Sequence, residues 1–126
     1  MSAMPWRVLV ADDDPTAGLL MQAALGGGDF ALTLVDNGSD ALAEFQHASF
    51  DIALLDVEMP GLDGFEVCSA IRRTHGAGFP IVLVTGRRDA AFVEQASLLS
   101  ASHLAKPVDW KSLAGFLRTL LSAGLS

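Results

Sequence analysis

Short apolar runs alternate with longer amphipathic stretches along the chain, and this alternation predicts its secondary structure. The runs are three to six residues long and end at turn residues, so we interpret them as buried strands. They occupy residues 8–11, 30–35, 52–55, 81–84 and 103–105. Helices are predicted at residues 15–25, 39–48, 65–73, 90–99 and 109–121. Strands that alternate with helices in this way form a parallel sheet covered on both faces, so the predicted fold class is α/β.

Capping and turn residues indicate where the helices begin and end. Asp14 followed by Pro15 suits the N-cap and first turn of a helix, and three glycines at 26–28 end that helix. Ser39 suits the N-cap of the second helix. The predicted buried stripe of the first helix consists of Leu19, Leu20, Ala23 and Ala24, which recur at helical spacing.

Composition and charge narrow the class of protein. The 126 residues are 51% hydrophobic, which supports one domain with a full core spanning residues 1–126. The formal net charge of −7 and the lack of a basic stripe disfavour direct binding to nucleic acid or to anionic membranes. The sequence contains neither a signal-peptide pattern nor an apolar run long enough for a membrane helix. Together with a single cysteine, Cys68, this favours a cytoplasmic location.

Polar side chains that can carry chemistry follow four of the five predicted strands. They are Asp12, Asp13 and Asp14 after the first strand, Asp56 after the third, Thr85 after the fourth and Lys106 after the fifth. Because parallel strands point their carboxyl ends to the same edge of the sheet, we expect these side chains to lie close together. Each alone has an ordinary explanation as a helix cap or loop residue, so only the complete set indicates a function.

The predicted cluster suits phosphoryl transfer. Carboxylates packed together raise one another's pKa unless a cation is present, and hard oxygen ligands with several waters suit Mg²⁺. Asp56 would then be the nucleophile, Lys106 would neutralise phosphoryl oxygens, and Thr85 would donate a hydrogen bond.

The sequence resembles the receiver domain of two-component response regulators over essentially its whole length. The matching segments are VADDDP (residues 10–15), LDVEMPGLDG (55–64), VTG (84–86) and KP (106–107). The resemblance implies a doubly wound parallel sheet of five strands in the flavodoxin-like order 2-1-3-4-5, with five helices on its two faces. It also implies a regulatory phosphoacceptor, which catalyses only its own phosphorylation and dephosphorylation, rather than an enzyme.

The resemblance assigns roles to the acids. It implies that Asp56 accepts a phosphoryl group from a sensor histidine kinase or a histidine phosphotransfer protein. It further implies that Asp13 and Asp56 bind Mg²⁺ directly, that Asp12 binds it through water, and that the backbone carbonyl of Glu58 is another ligand.

The resemblance also implies a switch and a control of phosphoryl lifetime. Thr85 and Lys106 would contact the phosphoryl oxygens, and the peptide bond after Lys106 would be cis. His103 stands where many receivers have a Tyr or Phe that turns inward with the threonine. Glu58 and Arg87 occupy the two positions that tune the lifetime of the phosphoryl group, and we predict that their opposite charges pair over the site.

The output is less constrained by the sequence. In related receivers, phosphorylation reshapes the face made by the fourth helix, fifth strand and fifth helix, which implies an output domain or a homodimer partner. The segment 106–110 followed by a leucine-rich helix resembles receivers that precede domains synthesising cyclic di-GMP. Cyclic di-GMP signalling is therefore one candidate output.

Three alternatives use a similar sheet. An aspartate-nucleophile phosphatase would have a second Asp two residues after the first, where this chain has Glu58. A pseudo-receiver, which binds partners without phosphorylation, typically lacks an acid or the lysine, and this chain keeps them all. A flavodoxin-like flavin protein needs a phosphate-binding loop after the first strand, where three acids would repel phosphate.

Overall fold

The computed structural model describes residues 4–87 and 89–123, and all the predicted strands and helices are present there, with ends within two residues of the prediction. The strands are β1 (Trp6–Ala11), β2 (Phe30–Val35), β3 (Ile52–Asp56), β4 (Ile81–Thr85) and β5 (Ser102–Ala105). The helices are α1 (Pro15–Leu25), α2 (Gly38–His47), α3 (Gly64–His75), α4 (Ala90–Leu98) and α5 (Trp110–Ala123). None of the described helices has the length and hydropathy needed to span a bilayer.

The five strands form one parallel sheet in the order β2-β1-β3-β4-β5, as predicted. Strand β3 lies at the centre, between β1 and β4, and its last residue, Asp56, pairs in register with Val84. Thr85 at the end of β4 pairs with Ala105 at the end of β5. This register brings the strand ends that carry the candidate side chains to one edge of the sheet.

Apolar side chains of the central strands alternate between two cores. One core lies under α2, α3 and α4 and includes Leu9, Leu55 and Leu83. The other lies under α1 and α5 and includes Val8, Leu54, Val82 and Leu117. Because both faces of these strands are buried, their sequences are continuous apolar runs rather than alternating ones.

The buried stripe of α1 differs from the prediction. Met21 and Leu25 pack into the core, whereas Leu19 is 68% exposed and Leu20 is 42% exposed. The helix carries apolar residues on nearly every side, so helical spacing alone is compatible with more than one stripe. Contact with the sheet, which the sequence pattern does not contain, selects the stripe that is buried.

The start of α2 also differs from the prediction. Asn37, not Ser39, is the N-cap, and its side-chain oxygen accepts a hydrogen bond of 2.8 Å from the backbone N–H of Asp40. The helix begins at Gly38, which lies directly against the backbone of Leu62, where an added Cβ would be 2.6 Å from the Leu62 Cβ. A glycine is therefore needed for α2 to pack on the loop between β3 and α3.

A second glycine lets α3 approach the end of β3. A Cβ on Gly64 would lie 2.6 Å from the backbone oxygen of Asp56 and 2.9 Å from the Cα of Val57. Such distances are too short for non-bonded atoms, so only glycine allows this approach. Asp63 and Glu66 form a capping box at the start of the same helix.

The side chain of Arg72 joins the ends of α3 and α4. Its guanidinium donates hydrogen bonds to the backbone oxygens of Leu99 (2.7 Å) and Ser100 (3.0 Å), which follow α4. It also donates to the oxygens of Gly76 (2.8 Å) and Phe79 (2.6 Å) in the α3–β4 loop. We call these four bonds the Arg72 clamp.

Candidate phosphoacceptor site

Asp56 is the centre of the candidate site because its carboxylate is buried at the carboxyl end of the sheet. The residue is only 2% exposed. Its Oδ1 accepts hydrogen bonds from the Lys106 ammonium (3.1 Å) and from the backbone N–H of Glu58 (3.3 Å). Its Oδ2 is buried without a hydrogen-bond partner among the described residues. A buried oxygen without a partner is costly and indicates a place for a further ligand.

The predicted convergence of the acids is confirmed for three of the four. Carboxylate oxygens of Asp12, Asp13 and Asp56 all lie within 4.8 Å of one another. Asp14 instead caps α1, where its Oδ1 accepts a hydrogen bond of 2.9 Å from the N–H of Thr16. These three carboxylates, one of which has an oxygen without a hydrogen-bond partner among the described residues, form a hard-oxygen donor set that fits Mg²⁺.

Burial and neighbouring charges shift the pKa values of the two central groups. Burial and, to a lesser extent, the negative charge of Asp12 raise the pKa of Asp56 to about 6, against the hydrogen bond and positive charge of Lys106. Burial acts to lower the pKa of Lys106, but the hydrogen bond and charge of Asp56 raise it overall. At neutral pH, Asp56 is therefore mostly ionised and Lys106 is a cation beside it.

The hydroxyl of Thr85 is fully buried and makes two hydrogen bonds. It donates to Oε1 of Glu58 at 3.0 Å, and its oxygen accepts from the backbone N–H of Arg87 at 3.0 Å. The Glu58 carboxylate is thus directed toward the end of β4 although the residue itself is exposed. The sequence analysis missed this contact, since the two residues are 27 positions apart and neither one's pattern indicates a bond.

The predicted ion pair between Glu58 and Arg87 is wrong. Arg87 binds Asp89 instead, with its Nε and one terminal nitrogen 3.0 and 2.9 Å from the two carboxylate oxygens. Asp89 also caps α4 by accepting a hydrogen bond from the N–H of Phe92. A partner two residues away at a helix N-terminus allows a bidentate pair, which explains the preference for Asp89. Its position before an alanine-rich helix was the available sequence signal.

His103 lies in β5, the edge strand of the sheet, and its ring packs against α4. Its exposed ring meets the buried ring of Phe92 edge-on, with centroids 5.6 Å apart and planes at 88°. The Arg87 guanidinium carbon lies 5.7 Å from the centre of the Phe92 ring. His103 is therefore placed against the N-terminal part of α4, and its role as a switch stays a prediction. The Lys106–Pro107 peptide bond is cis, as predicted.

The chain matches one family model and parts of curated proteins of different kinds. A family model described as the response regulator receiver domain matches residues 8–118. The DNA-binding response regulator MtrA of Mycolicibacterium smegmatis is 33% identical over 122 residues, covering 96% of this chain and 53% of MtrA. The sensor histidine kinase GacS of Pseudomonas protegens is 37% identical over 121 residues, covering 90% of this chain and 13% of the kinase. The chain spans about half of the first relative and a smaller share of the second.

Solved structures give the same fold. A CheY-like receiver domain protein from Methanospirillum hungatei has a TM-score of 0.89 at 20% identity, covering 96% of this chain and 97% of the other. A putative response regulator from Chloroflexus aurantiacus has a TM-score of 0.85 at 26% identity, covering 94% and 98%.

Proposed function

The chain belongs to the response regulator receiver family, and on this premise we propose that it is a phosphoacceptor switch. Asp56 accepts a phosphoryl group from the phosphohistidine of a sensor histidine kinase or a histidine phosphotransfer protein. The observation that carries the proposal is the Asp56 carboxylate, with one oxygen bound by Lys106, the other without a hydrogen-bond partner among the described residues, and the acids Asp12 and Asp13 beside it. The family is regulatory, so the reaction serves to change state rather than to turn over a substrate.

The transfer is a single displacement at phosphorus. A carboxylate oxygen of Asp56 forms a bond to phosphorus while the bond from phosphorus to the donor's imidazole nitrogen breaks, and that nitrogen keeps the electron pair. Lys106 stays beside the carboxylate and neutralises negative charge on the phosphoryl oxygens. Thr85 donates a hydrogen bond to one of them. Water attack at phosphorus later restores the carboxylate and releases phosphate.

A magnesium ion is the proposed cofactor, because the acid cluster matches the ligands that this ion prefers. Asp13 and Asp56 would hold it directly, Asp12 through water, and the backbone carbonyl of Glu58 would complete the protein's ligands. When bound, the ion supplies positive charge against the phosphoryl oxygens. Glu58 and Arg87 are the proposed positions for tuning the lifetime of the phosphoryl group.

We assign residues 1–126 to one receiver domain whose output depends on its partners. Phosphorylation would alter the face made by α4, β5 and α5, to which an output domain or a second copy would bind. MtrA is a DNA-binding regulator and GacS is a histidine kinase, so relatives join similar domains to different partners. Cyclic di-GMP signalling stays a prediction from residues 106–110.

The test is intact-mass measurement after incubation with a small acyl phosphate, with and without Mg²⁺. We expect the wild-type chain to gain one phosphoryl group only when Mg²⁺ is present, and Asp56→Asn to gain none. Asp14→Asn is the matched control, because it changes a neighbouring acid outside the cluster and preserves the helix cap. The control should gain the group as the wild type does.

Two results would contradict the proposal. Equal labelling of Asp56→Asn would move the acceptor to another residue. A folded wild-type chain that binds Mg²⁺ and gains no mass would favour a pseudo-receiver that acts through binding alone.

A further inference from the structure

The hydroxyl of Thr85 has no free hydrogen-bonding proton in the resting chain. A threonine hydroxyl carries one proton, and here that proton is donated to Oε1 of Glu58 at 3.0 Å. The same oxygen accepts from the N–H of Arg87, which fixes its position in the β4–α4 loop. Thr85 is fully buried, so water does not replace Glu58 as the partner of its hydroxyl.

A phosphoryl group on Asp56 needs the same proton. Phosphoryl oxygens act as hydrogen-bond acceptors, as does the Glu58 carboxylate, and Thr85 can donate to only one of them. A hydrogen bond from a hydroxyl to a carboxylate is charge-assisted and stronger than one between neutral groups. Glu58 is exposed, so its carboxylate can be hydrated once the bond breaks.

We propose that Glu58 is a positioning residue that holds the Thr85 hydroxyl in the resting state and competes with the phosphoryl group for it. The inference rests on the proposed phosphoacceptor function and names a control of that site. The Thr85 oxygen also accepts a hydrogen bond from the N–H of Arg87, and the Arg87 side chain binds the α4 cap Asp89, so the position of Thr85 is linked to the start of α4. Release of Thr85 by Glu58 is thus a cost included in every phosphorylation event.

The competition predicts an effect on affinity for a phosphoryl mimic. A ligand that binds only when this bond is broken has an apparent affinity that is reduced in proportion to the fraction of molecules in which the bond is already broken. Removing one charge-assisted hydrogen bond from the resting state should therefore tighten binding on the order of tenfold, which corresponds to about 1.4 kcal/mol.

Beryllofluoride, a noncovalent mimic of the phosphoryl group, is the probe, titrated at saturating Mg²⁺ so that altered cation binding does not enter. Glu58→Met removes both the charge and the acceptor, whereas Glu58→Gln removes the charge and keeps an acceptor oxygen. We expect about tenfold tighter binding for Glu58→Met and a clearly smaller gain for Glu58→Gln. Glu94→Met, at an exposed acid of α4, is the control and should bind as the wild type does.

A second pair of variants asks whether Glu58 acts through Thr85. In a Thr85→Val background the hydroxyl is absent, so Glu58→Met should no longer change beryllofluoride affinity. Without any phosphoryl mimic, the losses of unfolding free energy from the two substitutions should be non-additive, since either one removes the same bond.

The outcomes separate the two proposals. Equal gains for Glu58→Met and Glu58→Gln would indicate charge repulsion alone and overturn the competition, as would the same gain in the Thr85→Val background or additive unfolding energies. A wild-type chain that neither gains a phosphoryl group nor binds beryllofluoride would refute the phosphoacceptor function. The unfolding measurements would still decide whether Glu58 holds Thr85.

Discussion

The ammonium group of Lys106 lies 3.1 Å from Oδ1 of Asp56, although the two residues are 50 positions apart in the chain. The carboxylate side chain is 1% exposed, whereas the lysine side chain is 37% exposed. The pair therefore joins a desolvated carboxylate, Asp56, to an ammonium group, Lys106, that is still partly hydrated. Burial and Asp12 disfavour the carboxylate, and Lys106 favours it.

Replacing the lysine should raise the pKa of Asp56. Lys106→Met removes a hydrogen bond and a positive charge that both lower this pKa, so we expect it to move above about 6 in the metal-free protein. The carboxyl ¹³C shift of Asp56, followed by NMR against pH, measures the midpoint. Lys111→Met, which removes an exposed lysine of α5, should leave the midpoint unchanged. A midpoint that stays in place in Lys106→Met would show that Lys106 does not contribute to the pKa of Asp56.

Neutralising Asp56 should stabilise the metal-free protein at neutral pH. The folded state binds the Asp56 proton more tightly than the unfolded chain does, since the pKa is about 6 against an ordinary 3.8. The contribution of this group to stability therefore falls as pH rises from about 4 to about 6, and then levels off. At about 1.4 kcal/mol per pKa unit, Asp56→Asn should gain about 2–3 kcal/mol at pH 7 and little at pH 4.

Urea unfolding in the presence of a chelator, at pH 4, 5, 6 and 7, measures that difference. Glu94→Gln removes an exposed charge and should change the unfolding free energy little at any of these pH values. A difference between Asp56→Asn and wild type that does not depend on pH would contradict the assignment to Asp56.

Adding a methyl group at Gly64 should destabilise the chain and distort the end of β3, where Asp56 lies. An alanine Cβ would lie 2.6 Å from the backbone oxygen of Asp56, and such overpacking costs about 1–3 kcal/mol. Gly78→Ala is the control, because no heavy atom lies within 4 Å of its added Cβ. Urea unfolding of both variants, with phosphorylation of the folded fraction, provides the comparison. Equal stability of the two variants would mean that the loop yields without cost.

The Arg72 clamp should not tolerate lysine. A lysine ammonium is compact and cannot reproduce a planar guanidinium that bonds four carbonyl oxygens in two loops. We expect Arg72→Lys to lose about 1–3 kcal/mol of unfolding free energy, as the partly buried carbonyl oxygens of Leu99 and Phe79 lose their donor. Arg73→Lys, at an exposed position of the same helix, should change it by less than about 0.5 kcal/mol. A loss below about 1 kcal/mol in Arg72→Lys would indicate that water replaces the clamp.

The fold and the location of the site could be predicted because both follow from local pattern. Strand-sized apolar runs determine the sheet, and parallel strands bring Asp12, Asp13, Asp56 and Lys106 to one edge whatever the detailed packing. The acidic cluster is thus a consequence of where the strands end. No knowledge of side-chain conformation was needed for it.

What could not be predicted depends on competition between neighbours. Helix α1 has several apolar faces, and only contact with the sheet distinguishes Met21 from Leu19. Arg87 binds Asp89, which is two residues along the chain and caps a helix, rather than Glu58. That choice leaves the Glu58 carboxylate free to accept the Thr85 proton. Such choices depend on distances between side chains, which spacing along the sequence does not contain.

The Arg72 clamp holds the C-terminal end of α4, so the helix would pivot about that end if it tilted. The bonds to Leu99 and Ser100 hold the C-terminal end, so any tilt of the helix displaces its N-terminal end most. Nine residues span about 13 Å, and a tilt of about 10° would move the far end by about 2 Å. The N-terminal end is capped by Asp89, which binds the side chain of Arg87. The N–H of Arg87 in turn donates a hydrogen bond to the Thr85 hydroxyl oxygen. A rearrangement of one hydroxyl would thereby be amplified into a movement large enough for a partner protein to detect.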